Sequence, residues 1–290
     1  MATDQGPVVQ SALLRLELVR MRRDKDLTQE QVAADLEWSP SKLIRVEGGR
    51  SSITKVDLDA LMNRYGVTSE VQRDRMQALN RGARERGWWD DYRDQLAPAY
   101  VNYVGYEAGA SFIRNFQALV VPGLLQTSGY AQELAGSTVE DKIRIASAVK
   151  LRLLRQAELA KRTPQPRQYF VLDEAVIRRH VGIHADPGIM PEQLRQIAAR
   201  AHDDERVTVR VIPFSVGAHA GHTGPFTLLE FDGGLPDILY LDAGRDQISM
   251  VSGDDGRIGE YADAFEKLLG SALSAGESIE FILAAAEEMS

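Results

Sequence analysis

The sequence predicts an all-α N-terminal domain followed by an α+β C-terminal domain with a small, mostly antiparallel sheet flanked by helices. Three observations lead there. Up to about residue 86, apolar residues recur at helical spacing, with capping residues between the runs. Beyond Lys161, short β-branched and aromatic runs bounded by Gly, Pro and Asp replace that spacing. The 290 residues, 44% apolar and 26% charged, suffice for two cores of ordinary globular composition.

The first helix is expected over 9–23, with Val9, Leu13, Leu16 and Val19 or Arg20 on one face and Leu14 and Leu18 on another. Arg20, Arg22 and Arg23 cluster at its end, where cations favour the helix dipole. Thr28 with Gln31 has the reciprocal spacing of a capping box and opens a second helix. Ser39 is placed to cap a third, with Pro40 in its first turn, where a missing N–H costs nothing. Val32, Leu36, Leu43 and Val46 fall where two crossing helices share a core, and Ser41, Lys42 and Arg45 fall opposite. Gly48-Gly49-Arg50 stops the chain; Val56, Leu61, Met62 and Tyr65 mark a fourth helix ending at Gly66. Ser69 caps a fifth, running to about Arg86, with Val71, Met76 and Leu79 as its apolar positions. The organisation read from these signals is a helical domain over 1–68, a helical, aromatic-rich connector over 69–106, and an α+β domain over 107–290; the resemblances given below imply DNA binding by the first and a sensor or partner-binding role for the last.

A polar, cationic outer helix suits a DNA major groove. Gln29, Ala33, Leu36, Ser39, Leu43 and Glu47 resemble the pattern of the phage-repressor (Xre-like) helix-turn-helix family. The resemblance implies that Gln29 contacts a phosphate and that Ser41, Lys42 and Arg45 face the bases. The candidate DNA contacts are therefore Gln29, Ser39, Ser41, Lys42, Arg45, Arg50, Arg22 and Arg23. One departure stands out: the family usually has Gly in the turn, and this chain has Glu37, a position strained by about 1 kcal/mol if its backbone is left-handed.

Between Gly87 and Tyr106 lie Trp88, Trp89, Tyr92, Tyr100, Tyr103 and Tyr106. Aromatics interleaved with Arg can stack single-stranded bases, but Asp90, Asp91, Asp94 and Glu107 make the segment acidic and favour packing at a core or domain junction. Residues 111–163 read as helical: Ser111 to Phe116, Ser128 to Ala135 and a long amphipathic helix from about Val139 to Lys161, with Ile143, Ala146, Val149, Leu153 and Leu154 as its apolar face. Strands are expected at Gln168–Leu172, Val207–Ile212, Phe226–Phe231, Ile238–Leu241 and Gln247–Val251. A helix at Pro191–His202 separates the first two strands, and helices at Ile258–Leu273 and Glu277–Met289 follow the last. The phrases Arg86-Gly87-Trp88-Trp89, Val120 through Thr127 (VVPGLLQT), Leu172-Asp173-Glu174-Ala175, Pro213-Phe214, Gly217 through Gly221 and Gly224-Pro225-Phe226 together resemble the C-terminal domain of the actinobacterial antitoxin-like transcriptional regulators. That resemblance implies a DNA-binding regulator whose second domain engages a ligand or a small protein encoded nearby; it implies no catalytic residues.

Net charge is −8, yet residues 1–86 carry 15 Lys plus Arg against 13 Asp plus Glu, and the remainder 19 against 29. Acidity thus belongs to the second region, and a local cluster of Arg20, Arg22, Arg23, Lys25, Lys42, Arg45 and Arg50 is available to displace counterions from DNA. The patch is modest, so dimerisation on a pseudo-palindromic double-stranded site is expected to supply affinity. Cysteine is absent, which excludes disulfides, thiolate metal sites and a cysteine nucleophile. No signal-like start or membrane span is read, and a cytoplasmic protein is expected. Phosphate-loop, dinucleotide-loop and nucleophile-elbow patterns are missing, and no enzymatic activity, cofactor or metal is expected. His219 and His222 read as members of a sharp loop, with His219 hydrogen-bonding across it, in preference to metal ligands, and Asp173 and Glu174 as structural residues at the sheet edge. Two alternatives stay open: an antitoxin-like protein whose main activity is binding a small partner, and a regulator whose aromatic cluster lines a small-molecule pocket.

Overall fold

The computed structural model describes residues 5–137, 140–242, 248–253 and 255–290. The expected helix start at Val139 and strand start at Gln247 lie outside the described residues. The chain forms two compact units, one reaching to Asp90 and taking in Gly233–Leu235, the other comprising Asp91–Asp232 and Pro236–Ser290.

The described part of the first unit is helical, with α1 (Gly6–Arg23), α2 (Gln29–Asp35), α3 (Pro40–Glu47), α4 (Lys55–Arg64) and α5 (Glu70–Gly82). Pro7 in the first turn of α1 starts it three residues earlier than the apolar spacing indicates. Val9, Leu13, Leu14, Leu18 and Met21 are buried on α1, which packs against α3 and α5. Leu16, expected in that stripe, is exposed. The Ser69 hydroxyl accepts from Gln72 N (3.4 Å), capping α5 as expected. Leu58, Leu61, Met62 and Tyr65 fill the core beneath α4, whereas Val56 and Val71 stand in solvent. Each is the second residue of its helix and points away from the stripe that begins one turn later.

In the second unit the order is α6 (Pro98–Glu107), β1 (Phe112–Gln117), α7 (Ser128–Gly136), α8 (Lys142–Lys161), β2 (Arg167–Asp173), α9 (Glu174–Arg178), α10 (Ile189–Asp203), β3 (Val207–Ile212), β4 (Phe226–Glu230), β5 (Ile238–Asp242), β6 (Ile248–Ser252), α11 (Gly256–Ser271) and α12 (Ala275–Glu288). The strands make one sheet, ordered β3-β2-β1-β4-β5-β6. β1, β2 and β3 pair in parallel, while β1–β4, β4–β5 and β5–β6 pair antiparallel. The expected α+β class is therefore what forms, with a mixed sheet.

Two local readings change. Phe112–Gln117 is a central strand where the sequence reads helix. Two of its polar members find partners far along the chain: Asn115 Nδ2 donates to Thr227 Oγ1 (2.6 Å) and Arg114 pairs with Glu230 (2.6 Å) and Glu266 (3.1 Å). On α8 the buried face is Leu151, Arg155 and Leu159, and Ile143, taken from its spacing as apolar face, is 73% exposed. The expected packing role of the aromatic segment holds: Trp89, Tyr92, Tyr103 and Tyr106 are buried.

The sheet has two different faces. Phe116, Phe226, Leu228, Leu239 and Val251 pack against Phe265 and Leu268 of α11. On the other face the register aligns Phe170, Asn115, Thr227 and Tyr240 across four neighbouring strands. There the Tyr103 ring of α6 lies over Tyr240, centroids 4.0 Å apart.

Candidate nucleic-acid interface

The α2-turn-α3 unit is specified almost residue by residue. Thr28 Oγ1 accepts from Gln31 N (3.2 Å) and Gln31 Oε1 accepts from Thr28 N (2.8 Å), the expected capping box. α2 closes after Leu36 with Glu37 at φ +55°. Glu37 N donates to Ala34 O (3.1 Å) and Trp38 N to Ala33 O (2.8 Å), the paired bonds of a Schellman ending. A non-glycine residue thus occupies the left-handed position, as the sequence anticipates. Ser39 has the extended backbone of a cap, but its hydroxyl lies 3.2 Å from that of Ser41 and bonds no backbone N–H of α3. Pro40, which needs no partner for its nitrogen, starts the helix instead.

On the inner side Val32, Ala33, Leu43 and Val46 are buried, and Leu36 is half-buried. Behind them one carboxylate joins three helices. Glu47 accepts two bonds from Arg22 of α1, Nε to Oε1 at 2.8 Å and Nη2 to Oε2 at 2.9 Å, and a third from Gln29 Nε2 at 2.7 Å. Arg22 Nη1 donates to Leu27 O (2.8 Å). The side chains of Arg22 and Glu47 are 12% and 3% exposed. Hydrogen bonding to Glu47 and its charge outweigh burial and hold Arg22 ionised above its ordinary range. Arg22 therefore braces α1 against α3 and does not stand free toward phosphate, and Gln29 is oriented by the same carboxylate.

The outer face of α3 presents Ser41 and Arg45, with Ser39 and Pro40 at its start. Among the described residues the side chains of Arg45, Arg50 and Arg23 have no hydrogen-bond or ion-pair partner, and all three are exposed. Lys42 is different: its ammonium donates to Asp57 of α4 (2.8 Å) and sits 3.8 Å from the centroid of the Trp38 ring. Asp57 titrates below its ordinary value, because bonds from Lys42 and Thr54 outweigh its burial. Sequence reasoning missed Ile44, 38% exposed between Ser41 and Arg45 on this face. Its position three residues after Ser41 is the signal that could have found it, since an apolar side chain there can meet a thymine methyl.

Comparison with known families agrees with this geometry. Residues 13–76 match a family described as a helix-turn-helix domain, and residues 100–284 match one described as a domain of unknown function (DUF5753). The chain belongs to the DUF5753 family. No curated protein and no solved structure matches it. The helix-turn-helix domain points to a DNA-binding regulator.

Within the DUF5753 domain the residues weighed for chemistry hold the loops in place. His219 Nδ1 accepts from Gly221 N (3.1 Å), so Nε2 carries the hydrogen and donates to Asp173 Oδ2 (3.0 Å). Asp173 Oδ1 caps α9 by accepting from Ala175 N (2.8 Å). Glu174 accepts from Phe214 N (2.7 Å) and pairs with Arg178 (3.2 Å). Asp173 and Glu174 stand at the C-terminal end of β2, an interior strand, which corrects the expected place at a sheet edge. Among the described residues no single helix is long and apolar enough to cross a membrane.

Proposed function

We propose that the protein is a sequence-specific transcriptional regulator of the Xre-like, antitoxin-like actinobacterial type, acting in the cytoplasm as a homodimer on a pseudo-palindromic site, without enzymatic activity. The observation that carries the reading is the outer face of α3, where Ser41 and the unpartnered Arg45 project from a helix whose inner face is buried. In the major groove Arg45 pairs with a guanine edge and Ser41 with a neighbouring base, while Arg23, Arg50, Ser39 and the Gln29 amide meet phosphates. Lys42 joins them only by exchanging Asp57 for DNA. Two-fold symmetry would set the recognition helices about 34 Å apart, one DNA turn.

Selection of genomic fragments by the full chain, followed by footprinting, tests this. A protected inverted repeat is expected, with Arg45→Ala weakening binding about 5- to 150-fold and relaxing preference at one base pair per half-site. Unchanged sequence preference in the Arg45→Ala protein overturns the assignment.

For the DUF5753 domain we infer a regulatory partner. The charge beyond residue 86, 19 basic against 29 acidic residues, favours a small basic protein encoded nearby. Co-purification of the full chain from its host is expected to recover such a protein in stoichiometric amount; recovery of the chain alone counts against it.

A further inference from the structure

The DUF5753 domain carries a cavity of about 650 Å³ lined by Asn115, Thr227 and Tyr240 of one sheet face and reaching Phe226 of β4 and Tyr261 of α11. Its size lies within the range of small-molecule sites, about 300–1,000 Å³. Two of the phrases singled out in the sequence converge on it: Val120 to Leu124 with Gln126 form one wall, and Gly224-Pro225-Phe226 part of another. Neither phrase is required by the nucleic-acid interface.

The first wall is built rigidly. Gln156 of α8 donates to Gly123 O (3.0 Å) and Gln126 O (2.9 Å), Tyr130 Oη accepts from Val121 N (3.0 Å), and the wholly buried Gln193 bridges Thr127 N and Leu125 O (both 2.7 Å). Side chains fixed this way bring polar atoms to a site without an ordering cost on binding.

Three buried polar atoms on residues of the lining have no partner. Gln126, 2% exposed, donates its amide to Val121 O (2.7 Å), which fixes the side-chain orientation and leaves Oε1 unpaired. Asn115, 6% exposed, is held by Thr227 and leaves Oδ1 unpaired. On α8 Arg152 presents a buried Nη1 without a partner. All three residues line the cavity. Native proteins satisfy nearly all buried polar atoms, so three such atoms around one cavity point to a ligand that completes them.

Charge narrows the ligand. Arg155 and Glu107 neutralise each other in the same wall, Nε to Oε1 at 2.7 Å and Nη2 to Oε2 at 2.6 Å, with Tyr100 and Tyr103 completing the pair. Arg152 makes no such pair, so the lining carries one uncompensated positive charge. Around it stand the apolar and aromatic surfaces of Tyr240, Tyr261, Phe226, Leu119 and Leu124. We propose that the DUF5753 domain binds a small organic monoacid, its carboxylate on Arg152, a hydrogen-bond donor on Gln126 Oε1 or Asn115 Oδ1, and a ring or aliphatic body against the tyrosines.

The test uses the full chain without DNA, so it does not depend on the operator. Calorimetric titration is run with 4-hydroxyphenylacetate, phenylacetate, indole-3-acetate and cyclohexylacetate, and with the matching neutral amides. Saturable binding of at least one acid is expected, weakened about 10- to 100-fold in its amide, because the charge-assisted bond to Arg152 is lost. Arg152→Gln should weaken the acid by a similar factor, while Arg144→Gln, exposed at the start of the same helix, should not. Should Arg152→Gln fail to fold, the acid-to-amide ratio on the unaltered chain decides. No saturable binding by any acid up to about 5 mM, or amides binding as tightly as acids, overturns the proposal. Footprinting on the same preparation separates that failure from a failure of DNA reading.

Discussion

Replacing Glu47 by Gln should unseat α3 by removing a charge no solvent can replace. The carboxylate is 3% exposed and receives three hydrogen bonds, two of them from an Arg22 guanidinium that is itself 12% exposed. Gln keeps one acceptor oxygen but turns an NH₂ toward the guanidinium, leaving a buried cation without a counter-ion. Breaking one side of such a pair costs about 3–5 kcal/mol. The bond from Arg22 to Leu27 O survives, and the guanidinium retains some water, so the lower end, about 3 kcal/mol, applies. For a helical unit of this size each kcal/mol moves the melting point about 4–8 °C, so the first unit should melt roughly 12–24 °C lower. Far-UV circular dichroism of the full chain, with hydrogen exchange of the α3 peptide to assign the transition, measures it. The double variant Arg22→Met with Glu47→Leu should recover most of the loss, since an apolar pair carries no desolvation penalty. A Glu47→Gln protein whose α3 exchanges within about 4 °C of the parent refutes the bracing role.

Other residues give independent tests. Glu37→Gly should stabilise by about 0.5–1 kcal/mol, because φ +55° burdens a side chain but not glycine; calorimetry showing a loss would contradict it. Asp57→Asn should free Lys42 and steepen the dependence of log affinity on log salt by about one, and equal slopes in fluorescence anisotropy would show Lys42 already engages DNA. The same variant bears on pH. Asp57's folded pKa is depressed, so its contribution is present above its unfolded value and lost as pH falls through the folded one, and the difference in melting point between parent and variant should shrink on acidification below the ordinary carboxylate range. Arg155→Met leaves Glu107, 1% exposed, without its partner and should cost about 3–5 kcal/mol in urea unfolding, largely restored by adding Glu107→Gln.

Much of the candidate interface was legible locally. Thr28 and Gln31 are three residues apart, Glu37 directly follows the helix it ends, and Pro40 states its own position, so their hydrogen bonds close within one or two turns. Ser41 and Arg45 were readable because a helix of known phase must place them opposite Leu43 and Val46. The pairing of Arg22 was hidden for the opposite reason: its partner lies 25 residues on, and a basic residue at a helix end looks the same in sequence whether it faces phosphate or a buried carboxylate. Arg155 hid similarly, since its partner Glu107 is 48 residues earlier and a charge is not expected on a buried helix face.

By itself the sequence determined the elements whose signals are local: the caps and turn of α2 and α3, the change from helical to strand spacing, and the acidic bias of the second half. Only the tertiary structure decided which charges face outward and which are neutralised inside, that Phe112–Gln117 joins the middle of a sheet, and that Gln126, Asn115 and Arg152 meet around one cavity. The physical reason is the range of the forces involved. Backbone hydrogen bonds of caps and turns close within a few residues, whereas burial and ion pairing depend on what the folded chain brings together across tens of residues.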